Sequence, residues 1–200
     1  MKDLFILKKQ YNFYNEYHKN SYNKCIHYLC IPVLVFSLFI LLNYIPYDYH
    51  ISYLENYTLR DITFDLSNSN TIFSNTTLDN IFLLNTSGCL YILYITYYLI
   101  LNVLTGIICI PFYGIILLCS NYIVYNYYHR SWVGALFFQC VSWLFQFLGH
   151  YCCENNKPAL CNSLIKSVLI APFFVIFDLL YMCGYKKKVF KQDIFNELLP

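Results

Sequence analysis

Residues 88–128, GCLYILYITYYLILNVLTGIICIPFYGIILLCSNYIVYNYY, contain no charged side chain. As one straight helix this stretch would be about 61 Å long, roughly twice the hydrocarbon thickness of a bilayer. It therefore reads as two membrane-spanning helices, with the break expected between Gly106 and Gly114, around Pro111. On the N-terminal side, residues 28–46 (YLCIPVLVFSLFILLNYIP) are also uncharged and long enough to cross, with Pro32 in the first turns where proline is best tolerated. On the C-terminal side, residues 131–149 (SWVGALFFQCVSWLFQFLG) form a further span. The last apolar stretch, 164–184, is interrupted by Lys166, Pro172 and Asp178. Its longest charge-free run, Ser167 to Phe177, is short for a crossing and suits a re-entrant or interfacial segment.

Composition agrees with that pattern. The 200 residues are 58% hydrophobic and 12% charged, about half the charge expected of a soluble domain. The expected fold is an all-α integral membrane bundle, one domain over residues 1–200, with about four spans and a re-entrant or interfacial C-terminal segment. The abundance of Tyr, Phe and Asn is what an AT-rich genome produces, so individual tyrosines carry little weight. Ten cysteines are scattered through apolar runs without CxxC spacing, which argues for packing rather than for disulfides or a thiolate zinc site.

Lys2, Lys8, Lys9, Lys19 and Lys24 precede the first apolar run, and Lys186, Lys187, Lys188 and Lys191 follow the last. These are juxtamembrane positives, not a nucleic-acid face, and they place both termini in the cytosol. Residues 47–87 differ, with five acidic residues against Arg60 and N-x-S/T acceptors at Asn56, Asn75 and Asn85. They read as a polar, non-cytosolic loop insertion.

Histidines supply the candidate chemistry. His50 lies in the acidic loop and is expected to have no special role. Starting from a cytosolic N-terminus, four crossings bring His18, His27 and His150 to one face of the membrane. His18 and His27 are nine residues apart, about 13.5 Å on a continuous helix, so they share an ion only if the chain bends near Asn20–Ser21. Glu154 follows His150 by four residues and shares its face if the helix continues. Imidazoles with one carboxylate suit Fe(II) and leave positions for O₂ and substrate, but zinc accepts the same ligands. His129 is the weaker member. It lies about 31 Å from His150 along a straight helix, and joins the site only if the fourth segment does not span. Asp178, inside an apolar stretch, is either a partner behind the site or the polar side of an interfacial helix.

Three stretches resemble one family. They are YNEYHKNSYNKCIHYLCIP (14–32), with a Tyr-x3-His-x4-Asn-x3-His pattern; WLFQFLGHYCCENNKPAL (143–160), with a QFxGH…E…PA pattern; and LIAPFFVIFDLLYMCGY (169–185). Together they are similar to the membrane-bound 2-hydroxy fatty acid dioxygenases of the endoplasmic reticulum. The resemblance implies an iron(II)-dependent α-oxidation that takes a long-chain 2-hydroxy fatty acid and O₂ and returns the acid one carbon shorter, in sphingoid-base catabolism. His18, His27 and His150 match the family's histidines, the implied Fe(2+) ligands, and Glu154 matches the acidic position after the Gly-His pair, the implied catalytic carboxylate. Asp178 stands where the family pattern has Glu. The competing class is a non-catalytic lipid-handling or transport protein on the same scaffold, although the chain shows no internal repeat of the transporter kind. Di-iron desaturase boxes, His-x-x-x-His and His-x-x-His-His, do not occur.

Overall fold

A computed structural model describes residues 2–45, 85–155 and 164–185. Most of the 47–87 insertion, with His50, Asn56 and Asn75, lies outside the described residues, as do the C-terminal lysines and Lys157. Within the described residues every element is helical. A short 3-10 helix, Lys2–Phe5, precedes α1 (Leu7–Tyr17), α2 (Ser21–Leu42), α3 (Thr86–Leu101), α4 (Val103–Gly149) and α5 (Leu164–Leu180). A π-helical turn, His150–Glu154, extends α4, and a second, Tyr181–Tyr185, extends α5.

Residues 88–128 do belong to two helices, but the break between them falls at Asn102 rather than around Pro111. Asn102 is extended (φ −159°, ψ 114°), and its side chain accepts from the Thr105 amide, capping the helix that follows. One turn later, a Cβ on Gly106 would lie 2.8 Å from the Leu99 backbone, so glycine lets the two helices close into a tight hairpin. Pro111 stays inside α4. It has no amide hydrogen to donate, so it costs one helical bond without ending the helix.

Helix α4 turns at Tyr127, whose backbone is non-helical (φ −133°, ψ 39°). Its first limb runs back along α3, with Tyr91 Oη donating to the Ile110 carbonyl at 2.9 Å. Near the turn, Asn121 meets Asn43 and Asn85 in a carboxamide cluster. The second limb then runs antiparallel to α2. Tyr44 Oη donates to the Tyr128 carbonyl and meets Ser131 Oγ. Further along, Gln139 Nε2 donates to the Leu34 carbonyl at 3.0 Å, and His150 arrives beside His27. The result is four antiparallel passes: α2, α3 and the two limbs of α4. Asn85 caps α3 and donates to Asn43, so in this fold the sequon nitrogen is already engaged.

Helix α5 closes the half of the bundle nearest the histidines. Pro172 leaves the Val168 carbonyl, four residues earlier, without its helical donor. Tyr94 Oη supplies one at 3.2 Å, while Tyr98 and Tyr113 donate to the Leu169 and Pro172 carbonyls. These tyrosines are fully buried with Phe39, Phe173, Phe174 and Phe177, which form the core.

Candidate metal centre

Three separate segments carry His18, His27 and His150 to one point. Helix α1 stops at Tyr17 and α2 starts at Ser21, so the chain bends between the first two histidines as their spacing requires. Asn20 fixes the bend by accepting the Tyr22 amide at 2.8 Å. The third histidine enters where α4 loosens into its π turn, a form of helix common at functional sites. Asn155 ends that turn in the left-handed region (φ 49°), donating to the His150 carbonyl.

One ring nitrogen from each histidine lies within 4.8 Å of the others. The rings stand nearly perpendicular, with centroids 4.5 to 4.9 Å apart, and all three are buried. His18 Nδ1 meets the Tyr14 carbonyl at 2.9 Å, and His27 Nδ1 meets the Asn23 carbonyl at 2.9 Å. A carbonyl only accepts, so each Nδ1 carries the proton and each neutral ring presents the Nε2 lone pair. Burial, reinforced by nearby His27, pulls the His18 pKa from 6.5 down to about 2. His18 Nε2 and His150 Nδ1 are buried with no hydrogen-bond partner. Unpaired buried nitrogens are costly in an ordinary core, whereas neutral imidazoles with backbone-anchored tautomers are what a transition metal requires. The residues therefore fit a metal ion, and imidazole donors suit Fe, Zn, Cu or Ni.

Behind the histidines stands a second layer, of which sequence reasoning offered only Asp178, as one of two alternatives. The Tyr14 ring stacks on His18 with centroids 4.3 Å apart, and its hydroxyl donates to Asp178 at 2.8 Å. Asp178 also accepts from Tyr28 Oη at 3.0 Å and pairs with Lys24 Nζ at 3.3 Å. Burial first, then the Asp178 charge, pushes the Tyr14 pKa up, so the phenol stays protonated as a donor. Asp178 is thus a buried partner behind the site rather than the polar edge of an interfacial helix. Lys24 is held by it.

Glu154 lies beside the histidines but outside their cluster. Its Oε1 accepts from the Lys19 and Asn20 amides, both at 2.9 Å, and from Asn23 Nδ2 at 3.1 Å. It ties the His18 bend and the start of α2 to the end of the His150 turn. A Cβ on Gly149 would lie 2.6 Å from Asn23 Oδ1, so the glycine of the Gly-His pair permits that contact. His129 is exposed next to the Tyr127 turn, at the opposite end of the limb from His150. The structure does not bring it to the cluster.

The histidines sit at one end of an apolar cavity of about 310 Å³. Its wall continues along α2 through Ile31, Leu34 and Leu38 to Leu41, about 21 Å from His27 along the helix. Trp143 and Phe147 from α4 and Phe174 from α5 face them.

The family model for 2-hydroxy-palmitic acid dioxygenase Mpo1-like proteins matches residues 5–182. A curated relative, 2-hydroxy-palmitic acid dioxygenase MPO1 of Saccharomyces cerevisiae, is 25% identical over 189 residues, covering 93% of this chain and 86% of the relative. No solved structure matches the chain.

Proposed function

The chain belongs to the 2-hydroxy-palmitic acid dioxygenase Mpo1-like family, and from that premise we propose that it is an iron(II)-dependent dioxygenase shortening long-chain 2-hydroxy fatty acids by one carbon. The balanced reaction is R–CH(OH)–COOH + O₂ → R–COOH + CO₂ + H₂O. The observation that carries this reading is the junction of three neutral imidazoles with the end of a long apolar cavity. His18, His27 and His150 would hold the ion and leave its remaining positions open toward the cavity. When bound, iron(II) supplies the redox chemistry with O₂ that no side chain of this site provides. The walls from Ile31 to Leu41 take the alkyl chain, exclude water from the reacting end and fix the α-carbon beside the histidines. Tyr14, Asp178, Asn23 and Glu154 hold the imidazoles in place.

The setting we propose is the endoplasmic reticulum membrane, with four crossings, both termini cytosolic and α5 inserted only partway. Two helices, Ser21–Leu42 and the segment Val103–Glu154, are long and apolar enough to cross. Large apolar side chains such as Val103, Ile115, Phe137 and Phe145 are more than half exposed, as a lipid-facing surface would require. The test is turnover. Protein loaded with Fe(II) in detergent should convert 2-hydroxypalmitate and O₂ to the C15 acid. No product from protein shown to hold iron would refute the enzyme assignment and favour a lipid-handling role.

A further inference from the structure

Apart from the three histidines, one polar group of the cavity wall has no use in the free protein. Gln146 lies on α4 one helical turn before His150, and its backbone carbonyl accepts the His150 amide. The two side chains therefore share a face, about 5–6 Å apart at their Cβ atoms. Gln146 is 94% buried, at a relative exposure of 6%, and lines the cavity beside Trp143 and Phe147. Its Nε2 finds no hydrogen-bond partner. The contrast with Gln139, two turns earlier on the same limb, is informative, because that amide is spent on the Leu34 carbonyl. An unsatisfied amide donor in an apolar wall is destabilising unless something else completes it. An acyl chain cannot, having no acceptor. The oxygen-bearing head group of the molecule that fills the cavity can.

Resting on the dioxygenase reading, we infer that Gln146 is a substrate-binding residue whose Nε2–H donates to a carboxylate oxygen of the bound 2-hydroxy acid. The contact sets how deep the acid enters. With its head group between Gln146 and the three histidines, the alkyl chain has only one direction to run, along Leu34 and Leu38 toward Leu41. Neither Asp178 nor Glu154 lines the cavity: Asp178 accepts from Tyr14 and pairs with Lys24, and Glu154 accepts from the Lys19 and Asn20 amides. Gln146 thus supplies the cavity with a neutral donor for an anion, adding no charged side chain to be desolvated there.

Binding without turnover tests this. Protein loaded with Zn(II), a redox-inert substitute for iron, is titrated with 2-hydroxypalmitate and, separately, with 1-hexadecanol, which keeps the chain but lacks the carboxylate. Loss of one charge-assisted hydrogen bond should weaken 2-hydroxypalmitate about tenfold or more in Gln146→Leu. Hexadecanol affinity and the zinc content per chain should stay at wild-type values. Gln146→Met, the closest apolar match in shape, carries the same expectation if the leucine variant does not fold. Gln146→Glu should bind the anion more weakly than either. Unchanged 2-hydroxypalmitate affinity in the leucine or methionine variant, with zinc retained, overturns the assignment while leaving the dioxygenase reading intact. If the wild-type protein itself does not prefer 2-hydroxypalmitate to hexadecanol, both fall.

Discussion

Replacing Gly149 by alanine should damage the metal centre although it adds only one methyl group and favours the helix. Glycine to alanine within a helix gains about 1 kcal/mol. Here, however, the new Cβ meets Asn23 Oδ1 at 2.6 Å and Ile26 Cδ1 at 3.1 Å, where ordinary contact starts at 3.4 Å. Asn23 is fully buried and its amide is held by Glu154. Either Asn23 rotates and gives up a hydrogen bond to a carboxylate, worth about 1.5–3 kcal/mol, or α2 and α4 separate by several tenths of an ångström, at an overpacking cost of about 1–3 kcal/mol. The expected net is a loss of about 1 kcal/mol. Metal affinity should suffer more, because Asn23 anchors His27 and Gly149 adjoins His150. Disturbing such supports typically costs about 10–100-fold. Gly134→Ala on the same limb is the control, since its Cβ meets nothing within 4 Å. It should be neutral or stabilising by up to about 1 kcal/mol. Chelator-competition titrations of Fe(II) and denaturant unfolding in micelles measure both quantities. Wild-type metal affinity in Gly149→Ala would refute the packing argument.

Asp178→Asn should lower Fe(II) affinity about tenfold through Tyr14 and His18, without changing the ligand set. Unaltered affinity would show that the Tyr14 stack needs no carboxylate. Leu41→Trp fills the far end of the cavity, so turnover should shift toward shorter 2-hydroxy acids: kcat/KM for C16 down about tenfold, with C12 nearly unchanged. Equal losses at both lengths would contradict the chain path. For metal-free protein, burial keeps His18 neutral down to about 2, whereas the unfolded chain takes up that proton near 6.5. The folded state then binds fewer protons than the unfolded one, so this contribution is complete above pH 6.5 and declines as pH falls toward 2. The denaturant midpoint should be flat from pH 8 to 7 and drop below 6.5. A midpoint that rises on acidification would contradict it.

Helices were legible because uncharged runs of 18 residues or more have one common explanation. Their exact joints were not. Pro111 is the stronger breaker by propensity, yet the chain breaks at Asn102, where a side chain can cap the next helix and Gly106 allows close return. The three clustered histidines could be singled out because they fall at segment edges on one side, and the bend at Asn20 followed from their spacing. The support around them was hidden for two reasons. Compositional bias made each tyrosine look uninformative, although Tyr14, Tyr28, Tyr94, Tyr98 and Tyr113 all donate to specific acceptors. The Lys24–Asp178 pair joins residues 154 positions apart, and no local pattern reports that. Gln146 is one of two carboxamides in the run 131–149, and nothing local separates it from Gln139, since its missing partner shows only in three dimensions.

The proposed metal centre holds one iron ion on His18, His27 and His150. X-ray absorption at the iron edge of the Fe(II)-loaded protein reads those ligands directly. One iron per chain is expected, with outer-shell scattering from three imidazoles that falls to two in His150→Ala or disappears with the iron. A wild-type spectrum dominated by thiolate sulfur or by carboxylate and water oxygens, without imidazole scattering, would contradict it.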